Sequence, residues 1–473
     1  MLEVKKHYDL LSTKIEKLKS KNPYFHKEIE RFYKFNIPEN SIVLEIGCGI
    51  GDLLASVNPS IGFGIDFSEN LIKIAKKRHP KPNLKFFVMA AEEINFEQKF
   101  DFIIISGLLQ ELEDIQEFLL KLHQIITPQT RIIINEYSYL WRPIIKLLNF
   151  LRLKTPEKIQ NWLTLADIEN LLFLSDFEVI KKDYRLLIPL YIPLVSNFIN
   201  HFLAKLPVIR RFCLMEYLIA KQHNIIKDKK ELDKYTCSII VPCRNEKGNI
   251  ESIVKRIPNL GSHTEIIFVE GNSTDGTLEE IKRVMKEYND RDIKLILQGE
   301  GIGKGDAVRK GFDKATGEVL MILDADITVA PEDLTKFYYA LVSGKGEFIN
   351  GSRLVYSMEK GAMKALNVIG NKFFSLMFTW LLEQRFKDTL CGTKVLFKRD
   401  YEKIVKGRKF FGDFDPFGDF DLIFGASKLN LKIVELPVRY KERIYGTTNI
   451  SRFKHGWLLL QMCFLAFIKL KLN

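Results

Sequence analysis

Residues 43–52 read VLEIGCGIGD, an apolar run that enters a turn with glycine at every second position. A glycine turn after the first strand of a parallel sheet lets the backbone approach a ligand closely at the carboxyl end of that sheet. Asp66 follows Gly51 by 15 residues, at the end of the next apolar run, where a carboxylate can accept both hydroxyls of a ribose. The stretch therefore predicts an α/β sheet with a nucleotide-like ligand at its edge.

Short runs rich in β-branched residues alternate with helical runs around this turn, over residues 40–180 and again over 236–440. Such alternation predicts parallel sheets that are covered by helices on both faces. The expected fold class is α/β, with two doubly wound domains. The strand candidates of the first region are Ser41–Ile46, Gly62–Ile65, Leu84–Val88, Phe100–Ile105 and Arg131–Ile134. Those of the second region are Cys237–Val241, Glu265–Val269, Ile293–Leu297, Val319–Leu323, Phe348–Asn350, Thr393–Phe397 and Leu431–Val434.

A polar and charge-dense segment separates the two regions. Residues 222–236 read QHNIIKDKKELDKYT, a composition that is typical of a linker. We therefore expect a first domain over residues 1–221 and a second over residues 237–473. Within the first domain, the ligand-binding core covers residues 40–140, and residues 141–221 form an apolar extension or lid.

The composition is that of a folded and basic protein. Of the 473 residues, 46% are hydrophobic and 27% are charged, which excludes disorder, collagen and coiled coil as the main class. Lys and Arg outnumber Asp and Glu by 71 to 59, and the net charge of +12 favours an anionic partner. The six cysteines lack CxxC spacing, so neither a zinc site nor a disulfide framework is expected, and the chain is assigned to the reducing cytoplasm.

Three apolar stretches bear on membrane contact, namely Leu186–Ala204, Phe373–Leu382 and Trp457–Ile468. Two prolines interrupt the first stretch, and the other two fall short of the about 20 residues that a helix needs to cross a bilayer. We therefore expect no spanning helix. Either these stretches pack into the core, or they insert shallowly into one leaflet and make the protein a peripheral membrane protein.

The glycine turn and the segment after it resemble a known family. VLEIGCGIGDLL at residues 43–54 is similar to the first motif of the class I S-adenosylmethionine-dependent methyltransferases, and GIDFSENLIKIAKKR at residues 64–78 is similar to the second. The resemblance implies that S-adenosylmethionine is the cofactor. In the roles that it implies, Glu45 supports the loop, Gly47, Gly49 and Gly51 line the amino-acid end of the cofactor, Asp66 takes the ribose, and Phe67 covers the adenine.

The chain departs from the family pattern at two places. The family often has an acid before Ala-Glu at the third strand, whereas this chain has Ala90, so Glu92 or Glu93 would hold the adenine amine. Gly107 and Glu111 stand where many relatives carry an acid and a histidine. Methyl transfer to a nucleophilic acceptor needs little acid–base help, so no catalytic base is assigned.

A second apolar strand, LMILDAD at residues 320–326, ends in two carboxylates. Residues i and i+2 of a strand point the same way, so Asp324 and Asp326 are expected side by side at the carboxyl end of a parallel sheet. Two repelling carboxylates are tolerated when a hard divalent cation lies between them and a phosphate. The pair therefore predicts that Asp324 and Asp326 hold Mg²⁺ or Mn²⁺, which neutralises a diphosphate leaving group.

Three polar turns precede this acidic pair, IIVPCRNE at 239–246, VEGNSTDGT at 269–277 and GIGKGDA at 301–307. In this order they resemble the family-2 glycosyltransferases of the GT-A fold, which usually have Asp-Asp-Gly where this chain has Glu-Gly-Asn. The resemblance implies inverting transfer from a nucleotide-sugar, with Asp324 on the ribose or the metal and Asp326 as a direct metal ligand. The residues that it implies for the nucleoside pocket are Pro242, Glu246, Glu270 and Lys304.

Later motifs narrow this resemblance to the dolichyl-phosphate glucosyltransferases. KDTLCGTK at residues 387–394 is similar to their Asp-Thr-x-Cys-Gly-x-Lys stretch, and GDFDL at residues 418–422 to their later Phe-Asp. Asp388, or Asp421 as the second acid of the later motif, is expected as a base only if the acceptor is a hydroxyl. Arg353, at the end of an earlier strand, is expected either to clamp a phosphate or to form a surface ion pair.

The C-terminal segment is basic. From residue 428 to residue 473, nine Lys or Arg stand against two Glu. Polyprenyl-phosphate glycosyltransferases carry a similar basic loop that closes over phosphates, and the resemblance implies Arg443, Ser451 and Arg452 for that role here. The cations also fit an anionic membrane surface. No nucleic-acid-binding signature accompanies them, so no nucleic-acid partner is expected.

Together these motifs predict a bifunctional enzyme on the cytoplasmic face of a membrane. Its second domain would move a sugar from a nucleotide-sugar, with UDP-glucose favoured, to a lipid-linked acceptor such as polyprenyl phosphate. Its first domain would transfer a methyl group from S-adenosylmethionine. The alternative is a glycosyltransferase that acts on a cell-surface glycan and carries a non-catalytic cofactor-binding or scaffold module at its N-terminus.

Overall fold

The computed structural model describes residues 12, 19–150, 163–300, 303–353, 365–411, 420–439, 445 and 452–472. The chain divides into two compact units. Unit 1 consists of Met1–Asn224 together with Lys471–Asn473, and unit 2 consists of Ile225–Leu470. The division falls within the charged segment 222–236, whereas the last three residues group with unit 1 and not with the second domain in which the sequence places them.

Unit 1 is built on a seven-stranded sheet in the order β3-β2-β1-β4-β5-β7-β6. β1 to β5 are parallel, while β7 runs antiparallel to both β5 and β6. The strands are β1 (Ile42–Ile46), β2 (Ile61–Asp66), β3 (Leu84–Val88), β4 (Phe102–Ser106), β5 (Arg131–Tyr137), β6 (Phe177–Arg185) and β7 (Met215–Gln222). The helices are α1 (Pro23–Asn36), α2 (Asp52–Ser56), α3 (Glu69–Arg78), α4 (Ile115–Lys121), α5 (Arg142–Phe150), α6 (Leu165–Leu174) and α7 (Val195–His201).

Both faces of the sheet in unit 1 are buried, as alternating strands and helices require. Successive residues of β1 belong to different cores, with Val43 sharing one core with Ile104 and Leu44 sharing the other with Ile103. The side chain of Ser68 accepts from the Leu71 amide and so caps α3 at its N-terminus.

β6 and β7 are absent from the sequence prediction, which assigned residues 141–221 to an apolar extension or lid. They extend the sheet beyond β5, and β6 forms its edge. An edge strand is exposed along part of its length, so FEVIKKDYR shows neither a continuous apolar run nor strict alternation. The extension predicted over residues 141–221 thus contributes two strands to the sheet.

Unit 2 is built on a second seven-stranded sheet, in the order β10-β9-β8-β11-β13-β12-β14. Its strands are β8 (Thr236–Cys243), β9 (His263–Glu270), β10 (Asp292–Leu297), β11 (Val319–Ile322), β12 (Phe348–Ser352), β13 (Lys394–Phe397) and β14 (Ile433–Pro437). Its helices are α8 (Lys229–Leu232), α9 (Lys247–Arg256), α10 (Thr277–Glu287), α11 (Gly303–Lys314), α12 (Leu334–Val342), α13 (Ala365–Leu382), α14 (Lys398–Gly407), α15 (Phe420–Lys428) and α16 (Arg452–Ala466).

The sheet of unit 2 is mixed and not purely parallel as the sequence predicts. β13 lies between β11 and β12 and is antiparallel to both, whereas β8 to β11 are parallel. A fully buried apolar strand has the same composition in either direction, so periodicity cannot reveal this reversal. The α/β class with two doubly wound domains is confirmed.

The three apolar stretches form parts of helices and loops. The stretch from residue 186 to residue 204 contains α7, and the other two lie in α13 and in α16 with its continuation. Among the described helices, none combines the length and the apolar character that crossing a bilayer requires.

Candidate functional site

The glycine turn of unit 1 follows β1 and crosses the end of β2. The backbone amides of Gly47 and Cys48 both donate to the carbonyl of Ile65, at 2.8 and 2.9 Å. Gly49 has φ of +53° and Gly51 has φ of +77°, the left-handed region that disfavours any side chain. A Cβ on Gly51 would lie 2.6 Å from Phe86, whereas a Cβ on Gly49 would meet nothing within 4 Å. The turn is therefore packed behind Gly51 and open in front of Gly49.

Alanine at these two glycines should separate folding from ligand binding. Gly51→Ala combines a left-handed backbone, at about 1–2 kcal/mol, with overpacking against Phe86, at about 1–3 kcal/mol. Gly49→Ala carries only the backbone cost, but its methyl group enters the open space in front of the turn. We expect denaturant unfolding to show the larger destabilisation for Gly51→Ala, and titration with S-adenosylmethionine to show loss of binding for Gly49→Ala. Unchanged affinity in Gly49→Ala would contradict a ligand at this turn.

Two acids hold the glycine turn in place. Asp66, at the end of β2, accepts from the Gly49 amide with one oxygen and from the Ser68 amide with the other, both at 2.9 Å. Glu45 is buried and accepts from the Leu54 amide of α2 at 2.9 Å. These contacts place both acids at the turn, as the resemblance implies, and add a structural role to Asp66.

The other residues predicted for this cofactor lie around the same edge of the sheet. Phe67 directly follows β2 and is half-buried, and Glu92 is half-buried on a short 3-10 turn, Ala91–Glu93, after β3. Parallel strands bring their carboxyl ends to one edge, so these positions are neighbours of the glycine turn. Their roles toward adenine stay predictions.

Burial gives Glu45 a pH-dependent contribution to stability. Burial raises its pKa from 4.5 to about 8, and the charges of Asp52 and Asp66 act in the same direction. The folded unit thus keeps a proton that the unfolded chain releases, so stability falls as pH rises between these values, by up to about 1.4 kcal/mol per pH unit. Glu45→Gln, which stays neutral, should remove this slope in hydrogen exchange of the β1 amides. Glu39→Gln, at an exposed position, is the matched control and should retain it.

Sequence reasoning missed two polar residues near the end of β5. Glu136 is buried and accepts from the Leu109 amide at 2.8 Å, and Asn135 accepts from the Tyr33 hydroxyl at 2.5 Å. Gly107, with φ of +64°, leaves the space above its Cα open. The signal was present, because polar residues that end a buried parallel strand usually face a ligand edge.

In unit 2, two polar turns interlock at the ends of β8 and β9. The Glu246 amide donates to the Thr277 hydroxyl at 3.0 Å, and the Glu246 carboxylate accepts from Asn249 at 2.7 Å. Glu270 is buried and accepts from the Ser273 amide at 2.6 Å. Pro242 lies in β8 and is half-buried beside them. The structure thus brings three of the four predicted nucleoside-pocket residues to one edge of the sheet.

The fourth, Lys304, contacts the acidic pair. Its ammonium lies 2.5 Å from Oδ1 of Asp324. Burial alone would raise the pKa of Asp324, but Lys304, Lys394 and Arg353 together lower it below its ordinary range. Asp326 accepts from the backbone amide and the hydroxyl of Thr328, at 3.2 and 2.8 Å. Three cations therefore act on the carboxylate at the end of this strand.

Glycine is required where the 387–394 stretch passes over Asp324. A Cβ on Gly392 would overlap the Asp324 carboxylate and crowd the ammonium of Lys304. The side chain of Lys394 is buried and donates to the carbonyl of Cys391 at 2.6 Å. The sequence motif contains Lys394, yet its position near Asp324 depends on the antiparallel insertion of β13 and could not be predicted.

Arg353 forms a buried ion pair, and not the surface pair that was one of its two expected roles. Its Nε and Nη2 donate to the two oxygens of Asp388, each at 2.7 Å, and its backbone amide adds a bond of 2.9 Å. Burial would raise the pKa of Asp388, but the Arg353 guanidinium lowers it below its usual range. Both carboxylate oxygens of Asp388 are thus occupied, an arrangement suited to positioning Arg353 and unlike that of a free base.

Polar atoms with unused hydrogen-bonding capacity surround this pair. Buried polar atoms usually have partners, so a group of them without partners marks a place for a ligand or water. Asn350 also donates to the carbonyl of Asp388 at 2.9 Å, which ties this group to the ion pair. In this part of unit 2, the buried atoms without a hydrogen-bond partner among the described residues include Oδ1 of Asn350, Oγ of Ser352, Oγ1 of Thr389 and Oγ1 of Thr393.

Asp421, the other candidate base, lies in the first turn of α15 between two arginines. Its Oδ2 lies 3.0 Å from Arg408 and 3.7 Å from Arg309. Its role as a base stays a prediction.

The basic C-terminal loop is described only in part. Arg443 and Ser451 lie outside the described residues, as does the side chain of Arg452. Tyr445 is described, and its hydroxyl donates to Asp275 at 3.2 Å while its ring packs against Gly248. At this point the loop reaches the turns that follow β8 and β9.

The donor atoms at Asp324 and Asp326 suit a hard divalent cation, because both are carboxylate oxygens just beyond the end of β11. Within the described ranges, no group of three or more His, Cys, Asp or Glu forms a metal cage. A cation here would therefore depend on its substrate for further ligands, as Mg²⁺ commonly does.

Two family models match this chain, one within each unit. Residues 18–182 match the family described as Methyltransferase domain, and residues 238–404 match Glycosyl transferase family 2. The fold and the two family matches thus define a two-domain transferase. The chain carries a methyltransferase domain followed by a family-2 glycosyltransferase domain, and this prediction is confirmed.

Individual relatives share parts of the chain. Glycosyltransferase AglJ from Haloferax volcanii is 27% identical over 47% of this chain and 68% of its own length. Dolichol-phosphate mannosyltransferase from Saccharomyces cerevisiae is 36% identical over 22% of this chain and 40% of its own length, so the chain spans less than half of it. A methyltransferase structure from Aquifex aeolicus is 17% identical, with a TM-score of 0.32, and covers 44% of this chain and 97% of its own.

Proposed function

We propose that the chain is a bifunctional transferase that moves a sugar from a nucleotide-sugar to polyprenyl phosphate and transfers a methyl group from S-adenosylmethionine. The observation that carries the first activity is the ion pair of Lys304 with Asp324, beside Asp326, with Lys394 and Arg353 adding positive charge in the same region. Cations and carboxylates at one strand end suit a metal–diphosphate leaving group.

In this proposal Asp324 and Asp326 hold Mg²⁺ or Mn²⁺, which neutralises the departing diphosphate when bound. Lys304 leaves Asp324 to contact the same phosphates. Glu246 and Glu270 border the nucleoside, for which UDP-glucose is the first donor to test. Arg353 is positioned by Asp388 and binds the acceptor phosphate or the transferred sugar. The hydroxyls without partners near this ion pair bind the same group.

Polyprenyl phosphate fits as the acceptor on two grounds. Its phosphate oxygen is already ionised at neutral pH, so the paired states of Asp388 and Asp421 are no obstacle to transfer. Dolichol-phosphate transferases are among the relatives of this chain. The basic loop that reaches Asp275 through Tyr445 would supply cations to the phosphates.

A membrane location follows from the same acceptor. α16 carries Trp457 and Phe464 with exposed fractions of 63% and 66%. Lys469 follows them in the continuation of the helix, and basic residues near an anionic leaflet strengthen binding. We propose that this helix lies in the cytoplasmic leaflet of an anionic membrane and that nucleic acid is not a partner.

The sugar transfer is tested by a donor screen. UDP- and GDP-sugars are incubated with the full chain and Mn²⁺, with and without a short-chain polyprenyl phosphate. The expected result is transfer to the lipid phosphate from one donor. Equal donor hydrolysis with and without the lipid, and no lipid-linked product from any donor, would contradict the acceptor.

Methyl transfer is tested by calorimetry with S-adenosylmethionine followed by a methyl-transfer assay. Removing the Asp66 carboxylate eliminates charge-assisted bonds to the ribose and to the Gly49 amide, so Asp66→Ala should weaken binding by tens of fold, or about 2–3 kcal/mol. Asp101→Ala, which removes an acid bonded to the Ile42 amide at the opposite end of β1, is the control and should keep the affinity. Absence of binding to the wild type would refute the methyltransferase activity.

A further inference from the structure

Unit 1 carries an exposed apolar surface on the segment between β6 and β7. Six consecutive residues, from 190 to 195, are all apolar and all exposed. Leu194 at the start of α7 is 86% exposed, Phe198 one turn later is 58%, and Val208 and Phe212 are 72% and 59%. We call residues 190–212 the apolar surface. Patches of this kind on a soluble domain mark a binding site.

These apolar side chains are exposed because polar residues of the same segment point inward and bond its backbone. Asn200 is 3% exposed and bonds both the amide and the carbonyl of Ile188, at 2.9 and 2.7 Å. Ser196 is fully buried, accepts from the Ile192 amide and donates to the Leu190 carbonyl. A surface loop usually exposes its polar side chains and buries its apolar ones. Here the polar side chains are buried, and their hydrogen bonds hold the apolar side chains outward.

The charged residues within this segment all have one sign. No Asp or Glu occurs between Arg185 and Glu216, whereas Arg211 is exposed and Arg210 is half-exposed. α5 adjoins the surface, because Trp141, just before it, donates to the Phe212 carbonyl at 2.9 Å. That helix adds further cations and exposed apolar residues, namely Arg142, Lys146, Ile144 and Leu147.

We propose that the apolar surface of unit 1 binds the headgroup region of an anionic lipid bilayer. Apolar side chains at a loop tip and along one helix insert among the acyl chains, while adjacent arginines bind lipid phosphates. A protein partner with an acidic rim would also match the charge, but six exposed residues in succession at a rigid tip suit insertion into an apolar phase.

The topology places this bilayer contact beside the cofactor turn. Arg185 ends β6 and Met215 begins β7, and Met215 pairs with Tyr137 at the carboxyl end of β5. The apolar surface therefore leaves the sheet at the same edge as the glycine turn. An acceptor carried by a lipid would reach that edge from the bilayer.

The test uses a label at Leu194 in the full chain. All six native cysteines are buried, so Leu194→Cys can carry an environment-sensitive fluorophore alone. Phe173→Cys is the matched control, because Phe173 is 73% exposed on α6, before the start of β6 at the opposite edge. Vesicles contain phosphatidylcholine with phosphatidylglycerol, and brominated acyl chains serve as quencher.

We expect a blue shift and quenching at position 194 and neither at position 173. Replacing Arg211 by Gln should lower partitioning into the anionic vesicles about fivefold, the effect of one interfacial cation. No response at position 194 would overturn the inference, as would equal responses at both positions. A shift at position 194 that grows with protein concentration in the absence of vesicles would assign the surface to self-association instead.

The label reports on unit 1 whatever the outcome of the sugar-transfer assays. If α16 alone holds the chain on vesicles, flotation persists while the label at position 194 stays unchanged, and only this inference fails. If the label responds but no sugar reaches a lipid acceptor, the proposed function fails and the bilayer contact of unit 1 stands.

Discussion

Replacing Asp326 by Asn should lower kcat/KM for sugar transfer by about 100–1000-fold, the usual cost of losing one electrostatic contact to a developing charge. The substitution keeps the side-chain volume and the oxygen that accepts from Thr328. It removes the negative charge that would hold a cation against the leaving diphosphate. Folding should change little, so the loss would fall on turnover.

The control for this variant is Asp290→Asn, an exposed acid after α10. It should keep the wild-type rate. If Asp326→Asn retains activity, or if chelation of divalent ions by EDTA leaves the wild-type rate unchanged, the metal assignment at the end of β11 is wrong.

Replacing Asp388 by Asn should destabilise unit 2 by about 3–5 kcal/mol, because it leaves the guanidinium of Arg353 buried without its counter-charge. Asp388 is fully buried, and Arg353 is 9% exposed. Sugar transfer should also fall, since Arg353 would no longer be held toward the hydroxyls around it. Urea unfolding and hydrogen exchange of the β12 amides measure the first effect, and the donor assay measures the second.

A double variant separates stability from activity. Arg353→Met together with Asp388→Asn removes the uncompensated charge, so most of the stability should return, as it does when buried ion pairs are replaced on both sides. Activity should stay low, because the guanidinium is missing. A double variant as unstable as Asp388→Asn would show that the ion pair is not the cause. A double variant with wild-type activity would exclude Arg353 from the reaction.

These predictions assign different roles to three acids, namely Asp324, Asp326 and Asp388. Asp326 bonds the amide and the hydroxyl of Thr328, Asp324 is held by Lys304 at 2.5 Å, and Asp388 is committed to Arg353. Sequence resemblance alone had grouped Asp388 with Asp421 as candidate bases. In the structure, Asp388 is paired with Arg353. Asp421 lies near Arg408 and Arg309.

The sequence by itself indicated most of the strands, though not β6 and β7, and the strand ends at which glycines and polar residues gather. The runs at residues 43–46 and 320–323 are short and apolar apart from Glu45, which favours buried strands, and the glycines and carboxylates that follow them favour turns at the edge of a sheet. Both sheets, both ligand edges and the two domain families followed from such local patterns. The need for glycine at a position such as Gly51 can also be predicted from local sequence. Its φ of +77° lies in a region that other residues rarely adopt.

Only the tertiary structure decided strand direction, pairing partners and exposure. β13 runs antiparallel between β11 and β12, and this reversal brings Lys394 near Asp324 across a wide separation in sequence. The Arg353–Asp388 pair joins residues 35 positions apart. The exposure of Leu194 likewise depends on the contacts that the buried side chains of Asn200 and Ser196 make with the backbone, whereas its sequence is equally compatible with the core. A hydrophobic pattern indicates that a side chain is more stable away from water. It does not indicate whether that side chain packs in the core or stays on an exposed surface.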